Sequence, residues 1–139
     1  MSDNGLADLK RRIDAVIANV RSTVDPALKR SADEIADVQR SLAERSRDSG
    51  ALIESIAVTM GPGQTPPYSQ PGGSHTVPEH SVAITAGNSE VRYPHLVEYG
   101  AAHAAAQPFF WPGFRLMRRR AQERIKRSVS KAVRDGWNS

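Results

Sequence analysis

Ser49-Gly50-Ala51-Leu52-Ile53-Glu54-Ser55-Ile56-Ala57-Val58-Thr59-Met60 is the stretch where the hydrophobic period of this chain changes. From Ala51 to Met60 the side chains alternate: Leu52, Ile56, Val58 and Met60 point one way, apart from polar Glu54, and Ile53, Ser55, Ala57 and Thr59 point the other. That pattern predicts a strand. Everything before it repeats at helical spacing. Leu6, Leu9, Ile13, Val16, Ile17 and Val20 predict an amphipathic helix over 5–23. Asp25-Pro26 then supplies a helix-start signal, since proline's missing N–H would be unpaired at that position anyway. Leu28, Ala32, Ile35, Val38 and Leu42 carry a second helix to about Arg47, stopped by Asp48-Ser49-Gly50. One kinked helix is the close alternative to two.

Downstream, residues 61–80 contain five Pro and four Gly, which sustain neither helix nor sheet and predict a long mobile loop. Val82, Ile84 and Ala86 alternate with Ser81, Ala83 and Thr85. The turn dipeptide Gly87-Asn88 follows, so a hairpin onto a short Val91–Tyr93 strand is expected. Pro94–Tyr99 reads as one helical turn before Gly100, and Ala101–Gln107 as a small-residue linker. The last helix starts near Pro108, with Phe110, Phe114, Met117, Ala121, Ile125, Ser128, Val129 and Ala132 on one stripe and Gly136 ending it.

These elements make an α+β chain: long N-terminal helices, a small mainly antiparallel sheet with a long loop, and a basic C-terminal helix. At 139 residues it is one domain, with a helical segment 1–48, a sheet region 49–107 and a C-terminal helix 108–139. Only 39% of residues are hydrophobic and mean hydropathy is −0.49, so the core is thin and support from neighbouring subunits is expected. With no cysteine, disulfide scaffolds, thiol nucleophiles and thiolate zinc sites are excluded. The first ten residues lack the apolar core of a secretory signal, and no run approaches a membrane span. A soluble intracellular product without membrane contact is the expectation.

The net charge of +4 is unevenly distributed. Residues 108–139 hold nine Arg and Lys against Glu123 and Asp135, a net +7, and the remainder is net −3. Such polarity suits an anionic partner or head-to-tail contact between copies. A solvated surface face is the simplest reading of the basic helix; otherwise Arg118, Arg119, Arg120 and Arg127 are the candidates for contact with DNA in a channel or with an acidic neighbour.

Catalytic chemistry finds little support. His75, His80, His95 and His103 are scattered, and only His95 and Glu98 have a spacing that would share a ligand, so no metal or cofactor is expected. Glu54, Glu90 and Glu98 fall on different elements, and Gly61-Pro62-Gly63 lacks the residues of a phosphate loop. No enzyme is expected. Phe109 and Trp111 lie off the helix stripe, so at least one is an aromatic candidate for an intersubunit contact, with a wider local core as the alternative.

Three segments resemble the neck or tail-completion proteins of long-tailed, lambdoid-type phages. Ser49–Ile56 looks like the family's glycine-leucine-serine-isoleucine entry to its first strand. Tyr93-Pro94-His95-Leu96-Val97-Glu98-Tyr99-Gly100 is similar to its tyrosine, then valine-glutamate-aromatic-glycine, signature. Gln107-Pro108-Phe109-Phe110-Trp111-Pro112-Gly113-Phe114 is similar to its proline-phenylalanine opening of a C-terminal helix. The likeness covers residues 49–136. Ala101 departs from a usual threonine and Gly113 from a usual alanine.

This resemblance implies a virion structural protein: a homo-oligomeric ring, expected to be a hexamer, joining head to tail around the DNA path. Its implied partners are head-closure or connector proteins and tail-terminator or tail-tube proteins. Glu98 and Tyr99 are expected to hold the turn beside Gly100 or to meet a neighbour.

Overall fold

The computed structural model describes residues 3–45, 49–102 and 105–139. The fold is α+β, built on a long helix α1 (Asp3–Ala43) and a C-terminal helix α4 (Phe110–Trp137). Between them lie α2 (Ser49–Ser55), β1 (Ala57–Met60), β2 (Gly63–Gln64), β3 (Thr76–Val77), β4 (Val82–Thr85) and α3 (Pro94–Tyr99).

The two helices expected on either side of Asp25-Pro26 are one, with Pro26 inside it. Proline removes a helical hydrogen bond and crowds the preceding turn. Here both halves of α1 pack on the same partner: Asn19 donates to the Ala132 carbonyl at 3.2 Å, and Arg124 donates to Ser31 at 3.3 Å. A shared packing surface on α4 thus overrides the local break. The expected stop at Arg47 and Asp48 lies outside the described residues. Within them α1 ends at Ala43.

The strand expected over Ala51–Met60 is half helix. Leu52, Ser55 and Ile56 are buried at i, i+3 and i+4, a helical spacing that coexists with the alternation. Ser55 Oγ donates to the Leu52 carbonyl at 2.6 Å and accepts from the Gly87 N–H at 3.0 Å, tying the last turn of α2 to the turn after β4. Only Ala57–Met60 is extended.

β1 pairs antiparallel with β4, with Ala57 opposite Thr85 and Met60 opposite Val82. The hairpin expected between 81–86 and 91–93 is therefore absent, and Val91–Tyr93 is no strand. Asn88 explains the divergence, because its side-chain oxygen accepts from the N–H groups of Glu90 (2.9 Å) and Val91 (3.0 Å). The turn closes on itself and delivers Val91 to the core. The Pro/Gly-rich 61–80 segment, expected to lack regular structure, contains the β2–β3 ladder, with Gly63 opposite Val77 and Gln64 opposite Thr76. Buried Thr65 organises it, accepting from the His75 N–H at 2.8 Å while its carbonyl accepts from Ser74 Oγ at 2.9 Å.

The single turn at 94–99 and the α4 stripe agree with expectation: every stripe residue from Phe110 to Ala132 is buried or half-buried. The core gathers Ala36, Ala43, Leu52, Ile56, Ala86, Val91, Phe109 and Phe110. α4 runs antiparallel to α1, and its two buried glycines mark where the backbones come closest. A Cβ on Gly113 would lie 2.6 Å from Gln39 Cγ and 3.1 Å from its backbone, and one on Gly136 would lie 2.6 Å from Val16 Cα. Gly136, expected to end the helix, instead admits α1 to it, and the helix continues to Trp137.

Valine at Gly113 or Gly136 should therefore force the helices apart and cost about 1–3 kcal/mol each. Gly50→Ala, in open space on the exposed side of α2, should be neutral or stabilising. Urea denaturation of the three variants checks the contrast.

Candidate interaction surface at the α3–α4 junction

The N-terminus of α4 would leave its first amide groups unpaired. No residue next to it in sequence caps it; the cap comes from α3. Glu98 is buried, and its carboxylate accepts from three consecutive backbone N–H groups: Phe109 (2.7 Å), Phe110 (3.0 Å) and Trp111 (3.0 Å). Its charge faces the positive end of the helix dipole. The linker is tied down beside it, with the Gln107 N–H donating to the Val97 carbonyl at 2.7 Å. On the other side Gln39 of α1 donates from Nε2 to the Phe110 carbonyl at 2.9 Å.

Around this cap the aromatics interlock edge to face: Phe109 on Phe110, Phe110 on Trp111, Trp111 on Phe114. Trp111 Nε1 donates to the Tyr99 hydroxyl at 2.9 Å. Of the four residues expected at an interface, Phe109 is fully buried and Glu98 is spent on the cap, so both are turned inward within the subunit. Trp111 is half-buried. Tyr99 is 70% exposed, and Leu96 and His95 of the same turn are exposed with it. A small apolar pocket of about 50 Å³, lined in part by Pro71, His95, Tyr99 and Trp111, opens beside it.

The basic helix divides into paired and unpaired cations. Glu34 of α1 receives Arg124 at 2.8 Å and Arg120 at 3.6 Å, Arg119 pairs with Glu123, and Lys131 with Asp135. Arg120 is thus committed to its own subunit. Among the described residues Arg115, Arg118, Lys126, Arg127 and Arg134 have no ion pair. Arg115, Lys126, Arg127 and Arg134 fall within an arc of about 120° on the outer face of α4, at 100° per residue. Arg118 instead lines an apolar groove between α1, α4 and β4.

His95 is exposed and Glu98 faces the other way into the cap, so the pair shares no ligand. His80 lies 3.2 Å from Asp25, and His75 sits among the β2–β3 hydrogen bonds. His103 lies outside the described residues. Among the described residues no three His, Cys, Asp or Glu are grouped to hold a metal ion.

Glu34 and Gln39 did not stand out in the sequence, because their partners lie 71 to 90 residues away and no local pattern marks them. Compared with family models, curated proteins and solved structures, the chain matches none.

Glu98→Ala should cost about 2–3 kcal/mol, since it strands buried N–H groups that now bond a charge. Glu98→Gln should recover part of that loss, and thermal melting of both checks the order. The hydrogen bond from Arg124, with Arg120 and Arg30 adding to it, holds the Glu34 carboxyl below its usual 4.5 despite partial burial. A depressed folded pKa contributes stability that is complete above the unfolded value and lost as pH falls through the folded one. The stability gap between the parent chain and Glu34→Gln should accordingly shrink from about pH 6 to about pH 3.

Proposed function

We propose that this chain is a structural subunit of a long-tailed phage neck, forming a ring that joins head to tail around the DNA path. One observation carries the reading: the three segments that resemble neck and tail-completion proteins converge on a single junction. Leu52 and Ile56 from the first, Glu98 from the second, and Phe109 and Phe110 from the third meet in one core and cap. Residues that such a family would repeat for architecture are here spent on architecture, which supports a scaffold rather than a catalyst.

In this role the subunit works without cofactor or turnover, between head-closure or connector proteins and tail-terminator or tail-tube proteins. Tyr99 and the outer cations of α4 are its polar contacts, with Arg127 toward the DNA or an acidic partner. Among the described residues no helix is long and apolar enough to cross a membrane, in keeping with a virion component.

A second reading, a small basic protein that binds nucleic acid without sequence preference, is favoured by the unpaired arc of Arg115, Lys126, Arg127 and Arg134. The readings separate in an in vitro joining assay. Particles assembled without this chain should yield DNA-filled heads and free tails, and adding the purified protein should join them. A variant with the four outer cations replaced by glutamine should join more weakly. Failure to join, combined with tight DNA binding whose dependence on salt flattens in that variant, would move the function to nucleic-acid binding.

A further inference from the structure

The two long helices present apolar side chains along much of one face, but the sheet covers only part of it. Over 28–39 of α1 and 114–125 of α4 it borders β4, leaving a groove of about 300 Å³ lined by Leu28, Ile35, Val82, Ile84, Phe114 and Ile125. Toward the N-terminus of α1 the sheet is gone, and Leu6 (54%), Leu9 (40%), Ile13 (45%) and Ile17 (44%) stand exposed. These four fall within about 80° of one another on the helix wheel, about a quarter-turn from the flank that meets α4 at Val16 and Asn19. At that end α4 shows Val133 and Trp137, also exposed. Arg12 lies over the Trp137 ring and Arg11 donates to the Ser139 carbonyl at 3.0 Å, so α4 stops while α1 continues past it. The result is an arm with an uncovered apolar stripe.

We propose that this stripe seats in the groove of a second copy of the chain. Three features select that occupant. The stripe from Leu6 to Ile17 spans eleven residue steps, about 16 Å at the helical rise, and fits within groove walls that run from Leu28 to Gln39 on α1 and from Phe110 to Ile125 on α4. The groove is twice the size of a cavity of about 150 Å³ that admits benzene, so it takes aliphatic side chains of the arm's kind. Charges also agree: Arg118 in the groove has no carboxylate partner among the described residues, and Asp14 beside the stripe has only Lys10 of its own helix, at 3.7 Å. The arm cannot fill its own groove, because Leu6 lies about 33 Å along a continuous helix from Leu28. A contact that uses two different surfaces of one chain, when it is not exchanged reciprocally within a dimer, is head-to-tail, and it closes a ring where the rotation between copies permits. The proposal rests on the ring reading only for the number of copies.

The absence of cysteine allows a direct test with the full chain. In sedimentation velocity the parent protein should self-associate. Ile13→Asp with Ile17→Asp, at two exposed sites, should weaken association at least tenfold while leaving the circular dichroism unchanged. For register, Ile13→Cys in one copy and Gln122→Cys in another should cross-link through a short bismaleimide. Ile13→Cys with Arg127→Cys, on the outer face, should not. A parent chain that stays monomeric up to millimolar concentration overturns the proposal, as does an oligomer that survives the double aspartate or cross-links equally at both positions. An oligomer that survives leaves the ring reading standing with its contact elsewhere. Persistent monomers leave the neck assignment to the joining assay.

Discussion

One carboxylate, that of Glu98, fixes how the two halves of the molecule meet. Three amide groups at the start of α4 would be buried without partners, each at a cost comparable to a lost hydrogen bond. Glu98 meets all three, and its own burial without a cation is offset by those donors and the helix dipole. Because it belongs to α3, the direction of the 28-residue α4 is set by a six-residue helix resting on the core through Pro94 and Val97. That arrangement gives the Val97-Glu98-Tyr99-Gly100 sequence a physical meaning. Valine packs, glutamate caps, tyrosine receives the indole N–H of Trp111, and Gly100 at φ 86° closes the turn.

From that fixed start, α4 lies along α1 by means of small residues. Gly113 and Gly136 of α4 lie against Gln39 and Val16 of α1, and Ala121 and Ala132 between them are buried, so the axes approach closely. This explains how a chain with few large apolar residues supports two long helices, since backbone proximity supplies dispersion contacts that bulky side chains would otherwise supply. It also explains Gly113: Gln39 occupies the space that a side chain there would need. The same economy leaves one end of the helix pair uncovered. The chain by itself therefore carries both a thin core and an exposed apolar stripe at Leu6, Leu9, Ile13 and Ile17.

Legibility in the sequence followed the range of the forces involved. The α4 stripe, the turn at 94–99 and the α+β class were readable because each rests on local periodicity or on a proline and glycine at fixed offsets. Three elements were not. Pro26 breaks a helix by every local rule, and only the packing of α4 across both halves keeps α1 whole. Residues 51–56 satisfy helical and strand patterns at once, and the bond from Gly87 to Ser55, 32 residues away, accompanies the helical one. Asn88 signals a turn, but its side chain absorbs the N–H groups that a returning strand would have used. At the site, Glu98 was legible as important through resemblance alone, while its role as a cap for a helix eleven residues on needed the structure. Phe109, singled out as an interface aromatic, sits at the centre of the core because the cap rotates it inward.

We propose that this junction organises a ring subunit at the phage neck. Electron cryomicroscopy of purified virions, focused on the region between head and tail, tests it most directly. A closed ring is expected there, with α3 and the aromatic cluster superimposable on this fold. Particles whose neck is complete and contains no density for this chain would contradict it.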